Sequence, residues 1–385
     1  MHSFTNTTMY DYIFLWGWIS TFACILYMLK EQSNCNKKIL ILERDSTIIE
    51  KNLSFWSAEF PDVLEWLSYR SWSKSRVVDN GSWKWWVIRT IPYRSIRASD
   101  FIHFVEEKIK KSWFFVEKII DNVTTIEDWA EFGVVTCTSK SVFYWKIIFN
   151  SIISLAPSAS SQYDFFQCFV GYELSTKKKS FDHSTATTME FFDYSWQISF
   201  VYTLPTSSND ALVEYTYFSK DAPISFSMIE NKLVDYLDSF WTYTVIKKEQ
   251  WVIPMRKHTP RRAVHIVDIW TAWWATKPSS WYTFLSILSH AQAICSTFTN
   301  KKSLPLPYSK RHRWYDMIML EVMSTYPEKY HTLIVKLFKH TPEHALVHFL
   351  NEKSSFREEL QVIWSLPKRI FIRSLFRYYA KKLCK

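Results

Sequence analysis

Residues 12–43 constrain the fold more than any other stretch, because they read as a strand, a tight turn, a helix and a second strand ending in an acid. Tyr12-Ile13-Phe14-Leu15 is the first strand and Trp16-Gly17-Trp18 the turn; an apolar helical stretch follows, and Ile39-Leu40-Ile41-Leu42 leads to Glu43. This is the pattern of a dinucleotide-binding βαβ unit. Its turn requires glycine first for a sharp reversal and second so that backbone amides approach a pyrophosphate at the helix N-terminus. Here both positions, 16 and 18, are Trp, and Thr21 stands at the third fingerprint position. Glu43 has the place of the carboxylate that accepts hydrogen bonds from ribose hydroxyls.

Composition bears directly on that anomaly: the chain has 4 Gly and 20 Trp in 385 residues, whereas average usage of about 7% would give roughly 27 glycines. A second cluster places Trp270, Trp273 and Trp281 around Lys277-Pro278-Ser279-Ser280. That segment makes sense as a loop for close cofactor approach, with Pro278 among its residues, if those three positions are glycine. The expectation is a reading frame translated under the wrong code, with UGA rendered as Trp in a genome where it encodes Gly. The abundance of Lys, Ile, Phe, Tyr and Asn is compatible with the AT-rich DNA this implies.

The net charge of +10 lies entirely in residues 301–385, which hold 17 Lys/Arg against 7 Asp/Glu. Arg369, Arg373, Arg377 and Lys381 recur every fourth residue as one helical stripe, beside Phe371, Ile372, Leu375, Phe376, Tyr379 and Leu383. Such a helix either lies on an anionic bilayer or docks on the core with a solvated basic side. Six scattered cysteines argue for a reducing compartment and against a disulfide framework or zinc site. The uncharged run 12–29 is just long enough to span a bilayer, but Asp11 before it and the strand-like residues after it fit the βαβ reading better. His340, His344 and His348 are spaced four apart with Pro342 interrupting the first step, so no metal is expected; no nucleic-acid motif accompanies the basic clusters.

Further along, 99–111 reads as a helix, and 134–138 and 142–149 read as strands. Strands dominate from 165 to 244. Over 211–218 the alternation puts Leu212, Glu214, Thr216 and Phe218 on one face and Val213, Tyr215 and Tyr217 on the other, aiming a carboxylate into whatever the first face covers. From 301 onward, helices are interrupted by prolines. The fold class expected is α/β: a Rossmann-like dinucleotide-binding domain with a β-rich substrate region and a helical C-terminal part. Its boundaries are 9–160 and 246–300 for the two parts of the dinucleotide-binding domain, which the resemblance given below makes an FAD-binding domain, 161–245 for the β-rich region and 301–385 for the helical basic region.

The order of several segments carries a resemblance. After the βαβ unit come Asn52-Leu53-Ser54-Phe55-Trp56, Phe169-Val170-Gly171-Tyr172-Glu173, Phe181-Asp182 with Thr188-Met189-Glu190-Phe191, and 200–205. Leu212-Val213-Glu214-Tyr215-Thr216, Glu249-Gln250-Trp251-Val252-Ile253-Pro254-Met255 and Lys277-Pro278-Ser279-Ser280 follow. In this order the chain resembles lycopene β-cyclases of the bacterial flavoprotein type, with Trp251 and Trp281 again at glycine positions. The resemblance implies non-redox cyclisation of the linear ends of lycopene or a related carotenoid, with FAD in its reduced form and NAD(P)H as reductant. It also implies a place on the inner face of the cell membrane. Glu214 matches the essential acidic position and is the expected proton donor or relay; Glu190 and Glu249 match further acidic positions. Phe55 and Trp56 are candidates for a tunnel wall or plain core. Asn150-Ser151-Ile152 departs from the acid, small residue and arginine of relatives. The other readings open are a flavin oxidoreductase acting on prenyl or carotenoid chains and, with genuine tryptophans, a non-catalytic membrane-surface protein.

Overall fold

The computed structural model describes residues 10–385 except 32–34, 47–49, 68, 81–83, 153–164, 193–197, 221–223, 241, 256–262, 270–282, 301–308 and 384–385. The N-terminal pattern forms as read: β1 (Tyr12–Leu15), α1 (Ile19–Glu31) and β2 (Lys37–Glu43) make a parallel βαβ unit. β1 is buried along its whole length, as a strand covered on both faces must be.

A small antiparallel sheet of β3 (Asn52–Trp56), β4 (Arg70–Trp72) and β7 (Tyr93–Arg97) comes next. The hairpin β5 (Lys74–Asp79) and β6 (Lys84–Ile88) lies between its strands in sequence, and α2 (Ala98–Lys110) leads to β8 (Phe114–Ile120). Then β9 (Val123–Asp128), β10 (Gly133–Cys137) and β11 (Val142–Trp145) form an antiparallel meander, and β12 (Ile148–Asn150) enters the parallel sheet. The single strand expected over 142–149 is thus two strands in two sheets. Ile148 and Phe149 are fully buried, suiting a parallel core, whereas Val142 is exposed.

The long strands β13 (Phe165–Thr176), β14 (Thr185–Phe191), β15 (Ile198–Pro205) and β16 (Asp210–Lys220) precede α3 (Phe226–Asp238) and β17 (Tyr243–Met255). The chain then returns to the first sheet as β18 (Ile266–Asp268) and ends in α4 (Phe284–Asn300), α5 (Lys310–Thr325), α6 (Tyr330–His340), α7 (Glu343–Leu350), α8 (Phe356–Ser365) and α9 (Lys368–Leu383). Pro327, Pro342 and Pro367 fall between these last helices, where a missing N–H costs least.

Two sheets position the site. One is parallel, in the order β18-β12-β1-β2-β8, with α1 and α4 packed together in its core. The other runs β17-β13-β16-β15-β14-β5-β6, so residues 74–88 and 246–255 extend a sheet otherwise built from 165–245. Alternation on β16 divides its neighbours: Val213 and Tyr215 pack with α3, while Leu212 and Phe218 pack toward the C-terminal helices. This is the mixed α/β class read from sequence, with a parallel Rossmann-like sheet, a β-rich region and a helical C-terminal part. Among the described residues no helix is long and apolar enough to cross a membrane.

On α9 the basic stripe is only partly solvent-facing. Arg369, Arg373 and Arg377 are exposed together with Ile372, Phe376 and Tyr379, whereas Lys381 is paired at 2.9 Å with the fully buried Glu321 of α5. The recurrence of basic residues at every fourth position could not reveal that one of the four is committed to a buried acid.

Candidate active site

Strand register brings the acidic residues together. Tyr202 on β15 is opposite Glu214 on β16, Glu214 is opposite Gly171 on β13, and Gly171 is opposite Glu249 on β17. These four residues form one row across four strands, and Gly171 is the gap in the row. A Cβ at position 171 would lie 2.5 Å from Glu214 Cγ and 3.3 Å from its Oε1, so the side chain of Glu214 fills the space that a larger residue would take. Leaning over the glycine, Glu214 hydrogen-bonds Glu249. A neighbouring carboxyl disfavours the charged form of Glu214, so the arrangement is suited to keeping a proton on it. Burial raises the Glu214 carboxyl well above the ordinary carboxylate range; the neighbouring Glu249 adds to the effect and Lys51 opposes it.

Both acids line a cavity of about 180 Å³ together with Lys51, Phe169, Tyr202 and Trp251. Lys51 is buried; its Nζ donates to Gln250 O at 3.0 Å and lies 5.3 Å from the Phe169 ring and 5.5 Å from the Trp251 ring. Burial lowers its pKa, and Glu249 and then Glu214 act against that. The Tyr202 hydroxyl contacts that of Tyr93 at 3.0 Å, and burial keeps the phenol well above its ordinary value. The cavity therefore has an acid pair on an otherwise largely aromatic and apolar wall, the environment in which a carboxylic acid remains protonated and a cationic intermediate meets π-electron density.

The cavity also reaches the N-terminal turn. Trp18 lines it and stacks on Trp251, with ring centroids 6.0 Å apart and planes at 12°. Trp16 adopts φ 72°, the left-handed region where glycine is favoured. Its N–H donates to Leu42 O at 2.7 Å, and Thr21 Oγ1 donates to Trp16 O at 2.6 Å, so the threonine holds the reversal. The Gly17 N–H donates to Glu43 Oε2 at 2.5 Å, and a Cβ at 17 would meet that oxygen. Burial raises the Glu43 carboxyl, against the backbone N–H of Gly17 and of Arg44. Asn150 Nδ2 donates to Asp268 Oδ1 at 2.7 Å and Ser151 Oγ to Leu15 O at 2.7 Å, which ties β12 to both neighbours at the same end of the sheet.

For a dinucleotide, the frame fits and two side chains do not. The parallel strands, the start of α1 and the acid at the end of β2 stand as the ADP half of FAD requires. Trp16 and Trp18, however, stand at the turn positions where close approach of backbone amides to a pyrophosphate asks for glycine, the Trp18 indole stacking on Trp251 and the Trp16 ring facing Arg44, and Glu43 is turned onto Gly17.

Of the residues singled out from sequence, the structure unites Glu214, Glu249 and Trp18 around one cavity, while Trp16, Gly17, Thr21 and Glu43 are bonded to one another in the adjoining turn and do not line it. Glu190 is elsewhere on the sheet, accepting from Asn80 Nδ2 at 2.6 Å and bonded to Tyr236. Trp270, Trp273, Pro278 and Trp281 lie outside the described residues. Phe55 and Trp56 are fully buried, with Trp56 Nε1 donating to Ser75 Oγ at 2.7 Å, so they are core. Sequence reasoning missed Lys51, which carries no motif, and Tyr202, which lies in the family-like segment 200–205 but was not singled out there; for Tyr202, the alternation of β15 against β16 was the available signal.

Comparison with known proteins fits this architecture. A flavin-dependent brominase, Bmp2, superposes with a TM-score of 0.62 at 12% identity, covering 97% of this chain and 99% of its own. A geranylgeranyl bacteriochlorophyll reductase-like protein from Thermoplasma acidophilum gives 0.58 at 11% identity, over 96% of this chain and 99% of that one. A tryptophan halogenase from Shewanella frigidimarina gives 0.58 at 9% identity, over 96% and 94% respectively. The fold is therefore of the FAD-dependent monooxygenase and halogenase type. No curated protein sequence is significantly similar. None of these likenesses supports the altered-code reading, which stays a proposal about the gene. With its site framed by Glu214, Gly171 and Glu249, and with residues 25–376 matching the lycopene cyclase protein family, the chain belongs to that family.

Proposed function

We propose that the protein is a lycopene β-cyclase, an isomerase that closes the linear ψ-end groups of a carotenoid to β-rings. The observation that carries this is the hydrogen-bonded Glu214–Glu249 pair on the wall of a mostly apolar and aromatic cavity. Glu214 transfers its proton to a terminal alkene carbon, leaving a tertiary carbocation; the neighbouring double bond attacks it, forming the ring C–C bond. Loss of an adjacent C–H proton to the carboxylate pair gives the ring alkene, so protons and electrons balance with no net oxidation. Phe169 and Tyr202 offer ring faces to the cation, and the carboxylate that Glu214 becomes is its counter-charge. Glu190, held by Asn80 and Tyr236, supports the strand carrying Thr188 into the cavity wall.

FAD, reduced by NAD(P)H, is proposed for a chain with glycine at 16 and 18, where it would supply negative charge beside the cationic end group. The substrate arrives from the bilayer, against whose cytoplasmic face the exposed arginines and aromatics of α9 lie. A second reading, a flavin oxidoreductase of prenyl or carotenoid chains, is favoured by the shared fold of the geranylgeranyl bacteriochlorophyll reductase-like protein. A buried acid could serve that chemistry too, protonating the carbon next to the one that takes the hydride; what separates the two is that the oxidoreductase consumes reductant in step with product.

Expression of the glycine-restored gene in a lycopene-accumulating host, with pigment analysis, tests the assignment. Cyclic end groups are expected, and linear pigment from Glu214→Gln. Unchanged lycopene from the parent enzyme overturns the cyclase reading, and full cyclisation by Glu214→Gln overturns the proton donor.

A further inference from the structure

Glu214 and Glu249 are chemically ambiguous as a bonded pair: either could be the acid. Something in the surroundings has to break the symmetry, and among the described residues lining the cavity Lys51 is the one cation. Its backbone is fixed just before β3, where Lys51 O accepts from Ala98 N–H at 2.8 Å. Its ammonium is fixed too, by Gln250 O and by the faces of Phe169 and Trp251. Phe169 and Trp251 are themselves cross-strand partners, two residues along from the Gly171–Glu249 pair. The ammonium therefore lies over the β13–β17 pairing, and of the two acids Glu249 bears on it more strongly than Glu214, although the Glu214 carboxyl also reaches across Gly171 of β13.

We propose that Lys51 is the positioning residue that holds the negative charge on Glu249 and thereby leaves the single proton on Glu214, the group that faces the substrate. The inference rests on the cyclase reading for its chemical meaning, but not for its electrostatics. The acidic and basic groups bearing on Lys51 are Glu249 and Glu214 from the sheet, Lys247 further along β17, and Glu50 next to it in sequence. Glu50 is engaged with α2, accepting from Ser99 Oγ at 2.6 Å and Ser99 N at 3.3 Å. Tyr202 and Tyr93 face the row from β15 and β7, paired with one another. Lys247 repels the ammonium, and neither it nor the tyrosines can assign the proton. The Glu249 carboxylate is the group best placed to neutralise a buried ammonium, which is costly to leave without a counter-ion.

The test compares Lys51→Met, Lys51→Gln and Lys51→Arg in the glycine-restored protein. The infrared C=O stretch of the protonated carboxyl is followed against pH and assigned with Glu214→Gln. A nearby opposite charge shifts the titration of a carboxyl by about 1–3 pH units. Loss of the ammonium in Lys51→Met or Lys51→Gln is expected to carry the band's disappearance about one unit or more toward alkaline pH, to spread the band between Glu214 and Glu249, and to lower cyclisation at least tenfold. Lys51→Arg is expected to restore the parental titration. Lys51→Gln retains a donor for Gln250 O and replaces the Met variant if that one misfolds. An unchanged titration in the neutral variants overturns the proposal, whatever happens to the rate. A shifted titration in a protein that never cyclises lycopene upholds the role of Lys51 and overturns the cyclase reading alone.

Discussion

Gly171→Ala tests the geometry of the acid pair with one methyl group. The added Cβ would stand 2.5 Å from Glu214 Cγ and 3.3 Å from both Glu214 Oε1 and Leu212 Cδ1, and the first of these distances is shorter than real Cβ contacts allow. Backbone relief is restricted because β13 is paired on both sides along its length. Glu214 must therefore swing away, and its hydrogen bond to Glu249 breaks. Overpacking of this kind costs about 1–3 kcal/mol, which outweighs the roughly 0.4–1 kcal/mol that glycine-to-alanine gains through the unfolded chain. A displacement of about 1 Å in a catalytic group costs on the order of a hundredfold in rate. The expected result is a lower urea midpoint with unchanged slope and cyclisation down by about two orders of magnitude. A Gly171→Ala protein of parental stability that still forms β-rings at the parental rate refutes the reasoning, since the carboxyls would then not meet over this residue.

Glu214 also sets a pH dependence. Its folded-state pKa is raised well above the ordinary carboxylate range, so above that range the folded chain holds more protons than the unfolded one, and stability falls as pH rises through the shifted range. Urea midpoints should show that decline in the parent and a flatter profile in Glu214→Gln; equal slopes would count against a buried acid. Codons offer a separate check: positions 16, 18, 251, 270, 273 and 281 should read UGA, whereas Trp56 and Trp72, whose buried indoles donate to Ser75 Oγ and Pro205 O at 2.7 and 2.8 Å, should read UGG. The glycine-restored protein should purify yellow with bound FAD and the literal sequence colourless; UGG at 16 and 18 ends the idea. For the membrane, replacing Arg369, Arg373 and Arg377 by Ala removes about 3 kcal/mol at about 1 kcal/mol per basic residue. Sedimentation with vesicles containing anionic lipid should then weaken roughly a hundredfold, and undiminished binding would reject α9 as the contact.

What the residues disclosed in advance was local. The βαβ unit follows from apolar runs around a turn, and the demand for a left-handed residue at 16 reappears as φ 72° in a tryptophan. Alternation likewise put Glu214 on the face opposite Val213 and Tyr215, and these two pack with α3. The encounter of Glu214 with Glu249 was hidden, because it depends on β13 lying between β16 and β17 in a register that joins residues over 30 and over 70 positions away. Lys51 was hidden for the same reason: its only local neighbours are a loop and the start of β3. Glu190 is the converse, an acid in a matching motif that the fold sets away from the cavity lining, bonded to Asn80 and Tyr236.

The contact between Lys381 and Glu321 has a mechanical corollary. Glu321 is sealed from solvent, with Thr325 and Lys381 as its polar partners in hydrogen bonds of 2.9–3.1 Å. Stripping the lysine from such an acid typically destabilises by about 3–5 kcal/mol. The tail is consequently moored, and cannot swing out on a hinge to seek lipid while the remainder stays behind. If this face meets a bilayer, the whole body must land with it, at a tilt dictated by how α9 is seated against α5.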